Sequence, residues 1–239
     1  MTTFQKLFGI KESQIKDTCI LLPLLAKDIL KYLGINGLSR GKVYSSGNAD
    51  SFSIIHTGMG PAFTGDAVLH LRETPCKTII LFGSCGLVKQ EKGITIGSMV
   101  TPCESYSLES FSSMLSGYKE GWGLFNPDKN LVEKFLAVNK TCDIKKVTCA
   151  TLGSLKLEEA YLGLFKRKDI HVVDMECSSL FSASSRAGKS AMALFYVTDI
   201  IGEKPFYVDL EDREKQTLSL SIKTAAHMLC EFIEKNLID

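Results

Sequence analysis

Short apolar runs rich in β-branched and aromatic residues recur at 18–22, 52–56, 78–82, 98–101, 146–150, 171–173 and 191–198. Their length and content predict strands. Longer stretches between several of them predict helices. Residues 23–33 follow the first strand directly. Residues 62–72 follow a Gly-x-Gly-Pro turn, with Pro61 suited to an early helical position. Residues 176–187 run into Gly188, a helix stop. The last segment has the clearest period: Leu218, Ile222, Ala225, Leu229 and Ile233 fall on one face at spacings of three and four. Strands alternating with helices predict an α/β fold, a three-layer α/β/α domain around a mixed, largely parallel central sheet. One domain is expected over residues 1–239, because no low-complexity linker or repeat of fixed period divides the chain.

Residues 104–130 break this pattern. Ser, Gly, Tyr and Phe dominate there, Trp122 sits in Gly-Trp-Gly-Leu-Phe, and no period persists. A structureless connection of that length is uncommon unless it serves a site or an interface. Its aromatic content favours a pocket wall or an interface over disorder.

Composition narrows the function classes. The 239 residues carry 28 Lys and Arg against 27 Asp and Glu, a formal charge of +1. That balance excludes a nucleic-acid binder relying on a globally basic surface. An apolar share of 45% with 23% charged residues excludes a disordered chain. No apolar run approaches the roughly 20 residues of a membrane span, so no membrane partner is expected. Lys6, Lys11 and Glu12 interrupt what would be the core of a secretion signal, and a cytoplasmic location is expected. The eight cysteines form no C-x-x-C pair and sit mostly in apolar contexts, so they read as small buried thiols of a reduced protein. No metal and no cofactor are expected.

Four short motifs at strand ends carry the candidate chemistry. His56-Thr57-Gly58-Met59-Gly60-Pro61 and Phe82-Gly83-Ser84-Cys85-Gly86 are glycine-bearing turns that would let a ligand approach the backbone. Neither is a P-loop, since no Gly-Lys-Ser/Thr follows. Val173-Asp174-Met175-Glu176 lies at a strand-to-helix junction. One of its acids would cap the helix, while the carboxylate of Glu176 suits a pair of vicinal hydroxyls. Tyr196-Val197-Thr198-Asp199 ends a long apolar strand, where a buried acid would have a raised pKa and a proton to give to a leaving group.

In this order and spacing, Gly58-Met59-Gly60-Pro61, Gly83-Ser84-Cys85-Gly86, Asp174-Met175-Glu176 and Thr198-Asp199 resemble the nucleoside phosphorylase/nucleosidase superfamily over roughly residues 17–237. The resemblance implies cleavage of an N-glycosidic bond through an oxocarbenium-like transition state. It implies that Glu176 grips the ribose hydroxyls with Met175 against the sugar, and that Asp199 assists the departing base, a purine through N7. Gly58, Gly60 and Ser84 would form the phosphate or water site, with Arg40 donated across a subunit boundary of a homo-oligomer, a dimer or a trimer of dimers. The partners so implied are a small-molecule nucleoside and phosphate, not nucleic acid.

Departures from the family pattern concern the acceptor. Leu25 and Leu81 stand where hexameric purine phosphorylases carry phosphate-binding arginines. No acid lies between Cys19 and Lys27, where the nucleosidases keep the glutamate that activates water. Glu104 and His56 are the stand-ins. Phosphorolysis and hydrolysis therefore both stay open, beside a nucleoside-binding or storage protein that has lost the chemistry. The base pocket is expected from residues 149–155 or from the aromatic stretch 106–125.

Overall fold

The structure is a computed structural model that describes residues 1–91, 93–115, 122–140 and 142–237. Its strands are β1 (Thr18–Leu22), β2 (Ser39–Arg40), β3 (Ser45–Asn48), β4 (Ser53–His56), β5 (Thr78–Leu87), β6 (Met99–Leu108), β7 (Gly123–Phe125), β8 (Ile144–Leu152), β9 (Val172–Asp174) and β10 (Ser190–Ile200). The helices are α1 (Thr3–Phe8), α2 (Ile29–Tyr32), α3 (Pro61–His70), α4 (Ser110–Leu115), α5 (Lys129–Val138), α6 (Glu158–Arg167), α7 (Cys177–Ala187) and α8 (Asp212–Asn236). Among the described residues, no helix is long and apolar enough to cross a membrane.

All the strands join one mixed sheet whose long ladders, β5 with β10 and β6 with β8, are parallel. Strands β5, β10, β6, β8 and β9 pair around a closed ring. The closing seam is the short antiparallel contact of β9 with β5, Gly86 opposite Val173 and Leu87 opposite Val172. From β5 the sheet continues outward through β1 and β4 to the β3–β2 edge.

Side-chain alternation explains why these strands read as unbroken apolar runs. On β1, Cys19 and Leu21 enter a core shared with α1, α3 and α7, while Ile20 and Leu22 enter a second core beneath α2, α5 and α8. The same division holds on β5, with Ile79 and Leu81 on the first side and Ile80 and Phe82 on the second. Helices thus cover both faces, and a smaller cluster around Phe165 seats α6 against β8 and β9.

Two expected segments differ. The helix expected over 23–33 forms only at α2, because Leu24 and Leu25 are exposed and offer no face to bury, and Asp28 takes a left-handed conformation with φ 61° just before it. Part of 104–130 is regular rather than structureless: β6 runs on to Leu108 and pairs with both β7 and β8, and α4 follows. Residues 116–121 of that stretch lie outside the described residues. The Tyr106 and Trp122 rings meet edge to face at 6.1 Å, and Lys168 Nζ lies 5.2 Å from the Trp122 ring centre. All eight cysteines are unpaired and five of them are buried.

Candidate active site

The carboxyl ends of β5, β9 and β10 lie side by side, because β5 pairs with both of the others. The turn after β9 and the end of β10 therefore flank the Gly83-Ser84-Cys85-Gly86 stretch of β5. Between them opens a cavity of about 410 Å³, whose walls include Ser84, Asp174, Met175, Glu176, Asp199 and, from α6, Glu158. Pro23, Leu24, Met59 and Leu155 add apolar wall, and Phe206 and Leu210 do so from the segment between β10 and α8.

The two acids of Asp174-Met175-Glu176 have separate places. Asp174 Oδ2 accepts from the backbone N–H groups of Glu176 (2.9 Å) and Cys177 (2.6 Å), capping α7 as one acid was expected to do. Its Oδ1 accepts from the Thr151 hydroxyl at 2.6 Å. Burial pushes Asp174 up to about 6, against the pull of these donors. Glu176 is left facing the cavity, with Oε1 accepting from the Gly60 N–H at 2.6 Å. Burial, and then the charge of Asp174, push Glu176 up to about 8.

Asp199 owes its direction to a bulge. The β5–β10 register shifts between Val197 and Asp199, so the intervening Thr198 is extra. Such an insertion re-aims the side chain that follows it. The Thr198 hydroxyl donates to Asp199 Oδ1 at 2.7 Å, and burial raises the Asp199 pKa in spite of that bond. Gly86 makes room for the carboxyl: a Cβ there would meet Asp199 Oδ2 at 3.0 Å and Ile201 Cγ1 at 3.2 Å.

Met175, Glu176, Asp199 and Ser84 thus share one cavity. The remaining expected residues stand apart from its lining. Gly58 and Gly60 shape the turn after β4 with φ of 78° and 117°, and the Gly60 N–H is engaged by Glu176. Arg40 is exposed on the edge strand β2. Leu25 is exposed, and Leu81 is fully buried in the core beneath α3 and α7, so neither lines the cavity. Glu104 accepts from the Thr148 hydroxyl on β8, away from the cavity. His56 is outside the lining, hydrogen-bonded to the Pro23 backbone, its pKa lowered by burial in spite of that bond. Of the two stretches expected to hold a base, 149–155 supplies Leu155, and none of the described residues of 106–125 reaches the cavity.

Among the described residues, two groups of donors lie close enough to approach a cation, and both are already engaged. Cys149, Asp174 and Cys177 are buried together, with the Cys149 thiol donating to Asp174 Oδ1 at 3.4 Å and burial raising both thiols. Glu91 and Asp169, beside His171, are ion-paired to Lys89 at 3.0 and 3.3 Å.

Among the described residues, four carboxyl groups and no lysine, arginine or histidine line the cavity. Glu158 is the acid that sequence reasoning missed. It opens α6 in an unremarkable Glu-Glu pair, and only the packing of that helix on the ring turns it inward.

Residues 22–234 match the family model described as the phosphorylase superfamily. A comparison with curated protein sequences yields no match. Uridine phosphorylase from Vibrio fischeri superposes with a TM-score of 0.80 at 17% identity, covering 97% of each chain. The 5′-methylthioadenosine/S-adenosyl homocysteine nucleosidase of Campylobacter jejuni superposes at 0.73 with 15% identity, over 92% of this chain and 99% of that one. AMP nucleosidase from Bacteroides thetaiotaomicron also gives 0.73, at 17% identity, over 97% of this chain and 95% of that one.

Proposed function

The chain belongs to the phosphorylase superfamily, an enzyme family, and from that premise we propose that it cleaves the N-glycosidic bond of a purine nucleoside with water as the ribosyl acceptor. The observation that carries this reading is the convergence of Glu176 and Asp199 on one cavity from opposite sides of β5. The carboxyl of Glu176 receives the ribose hydroxyls, and Met175 packs against the sugar. As the bond from C1′ to the base breaks, its electron pair passes to the base, and Asp199 delivers its proton to N7. The raised pKa of Asp199 suits that task, since a general acid must hold its proton at working pH. Carboxylate character at Glu176 stabilises the oxocarbenium-like ribosyl group. Water held at Ser84 adds to C1′ and loses its proton to solvent, from which Asp199 is recharged.

Water is favoured over phosphate by the lining itself. Phosphate would enter a cavity to which the described residues bring four carboxyl groups and no cation, without the charge-assisted hydrogen bonds that normally hold it. A second reading, phosphorolysis, is supported by one observation: Arg40 is exposed and forms no ion pair among the described residues, so a second copy of the chain could present it to this cavity. Base release from inosine and adenosine, followed with and without phosphate, separates the two. Release of free ribose at a rate indifferent to phosphate is expected. Phosphate-dependent formation of ribose 1-phosphate would replace the hydrolytic reading with the second one. Calorimetric binding of nucleoside with no base released over hours would leave a binding protein instead.

A further inference from the structure

Asp174 and Glu176 line the same cavity, are both buried, and are served unequally by their surroundings. Four donors converge on Asp174. The backbone N–H groups of Glu176 and Cys177 reach Oδ2, and the Thr151 hydroxyl and Cys149 thiol reach Oδ1. Strand register accounts for the Thr151 contact, because Thr151 on β8 pairs with Asp174 on β9. The Thr151 hydroxyl itself accepts from the Ser178 N–H at 2.8 Å, which turns its own proton towards Asp174. The Ser178 hydroxyl donates in turn to Glu109 Oε1 at 2.9 Å, anchoring the arrangement where β6 leads into α4.

A helix cap does not require all of this. Oδ2 alone caps α7. What the Oδ1 contacts add is support for a charge, since donors to a carboxylate favour its ionised form. Glu176 has two backbone N–H groups, those of Gly60 and Met175. Where two neighbouring buried acids compete, the one with more donors ionises first. Asp174, at about 6, therefore carries the charge while Glu176, at about 8, keeps its proton. The surrounding groups do not offset that charge. Cys85 on β5, Cys149 on β8 and Cys177 on α7 are thiols pushed up by burial, and burial also raises Asp199 on β10 and Glu158 on α6.

We propose that Asp174 is a positioning residue for the cleavage reaction, fixing the corner from which Glu176 faces the cavity and, by its own charge, keeping a proton on Glu176 until the ribose hydroxyls displace it. The displaced proton passes to solvent. This rests on the nucleoside-cleavage reading for the ribose at Glu176. It goes beyond that reading by giving Asp174, which acts through Glu176, control over when the sugar contact becomes a charged one.

The first measurement needs no substrate. Isotope-labelled glutamate carboxyl carbons are followed by NMR against pH in the wild type, Asp174→Asn, Thr151→Val and Thr151→Ser, with Glu176→Gln identifying the signal. Asn caps helices about as well as Asp, so a purely structural role leaves the Glu176 midpoint where it is. The midpoint is instead expected to fall by about one pH unit or more in Asp174→Asn, because a like charge has gone. Thr151→Val keeps Asp174 but takes away a donor, and should move the midpoint the same way by less. Thr151→Ser should restore it. A midpoint unmoved in folded Asp174→Asn would overturn the proposal, and if that variant does not fold, one unmoved in Thr151→Val would do so. The pH limb of the Michaelis constant for inosine should follow the midpoint downwards in Asp174→Asn, with turnover on the plateau changing less. A shifted midpoint in a chain that cleaves no nucleoside would sink the cleavage reading and leave the charge coupling standing. Cleavage whose Michaelis constant keeps its pH limb despite a shifted midpoint would sink the role of Asp174 alone.

Discussion

The backbone N–H of Gly60 donates to Oε1 of Glu176 across 2.6 Å, tying the turn after β4 to the start of α7. One oxygen of a cavity-facing carboxyl is thereby fixed. The bond also fixes which atoms of the Gly58–Gly60 turn remain open to an acceptor.

Replacing Gly60 with Ala should loosen that arrangement. Its φ of 117° is strained for any residue with a Cβ, although no neighbouring atom would obstruct one. A loss of about 1–2 kcal/mol in urea unfolding is expected. The Michaelis constant for nucleosides should rise more than turnover falls, because the sugar contact is displaced and the leaving-group acid is not. Equal effects on both parameters would count against the ribose role of Glu176.

Asp199→Asn removes the transferable proton while its side-chain oxygen can still accept from Thr198. Turnover of purine nucleosides should drop about 10²- to 10⁴-fold with the melting temperature little changed. A 7-methylated purine nucleoside, whose base leaves without protonation at N7, should lose far less. If the two substrates suffer equally, Asp199 is not the acid.

Nucleoside binding should release protons near pH 7.5. Burial and the charge of Asp174 push Glu176 up to about 8, and two ribose hydroxyls donating to it would favour its charged form. Its pKa therefore falls on binding. Calorimetry in buffers of different ionisation enthalpy should show that release, and Glu176→Gln should remove it. Proton uptake by the wild type would contradict the assignment.

Folding stability should fall as pH rises. Glu158 and Glu176 move from an ordinary 4.5 up to about 8 on burial. Between those values the folded chain holds protons that the unfolded chain has lost, so rising pH favours unfolding. Glu158→Gln is expected to match the wild type near pH 4.5 and exceed it near pH 8 by about 1 kcal/mol or more, roughly 2–4 °C in melting temperature. Thermal melts across that range read the difference directly.

Much of this was legible in the residues. The β1 and β10 runs read as strands because both faces of the sheet are buried, and α8 read as a helix because one face packs on it. Asp199 was legible as an acid ending an apolar strand. Two things were not. The closure of the ring rests on two residue pairs between β9 and β5, and no local pattern encodes so short a long-range contact. Glu158 was hidden for the same reason: its inward turn comes from where α6 packs, and the neighbouring Glu159 has the same chemistry with the opposite fate. Leu81 shows the converse hazard. Matching it to a family arginine suggested a cavity wall, yet strand alternation sends it into the core.

The ring also acts as a ruler. β9 and β10 flank β5 on either side, so the strand end that leads into Glu176 and the strand end that carries Asp199 stand about two strand spacings apart, roughly 10 Å. Backbone hydrogen bonds hold that distance, and no side-chain exchange can stretch it. A nucleoside bound as proposed would bridge that gap with one ring system and one pentose. Variation in what is accepted beyond that length falls to the parts outside the ring: Leu24, Met59 and the Phe206–Leu210 wall.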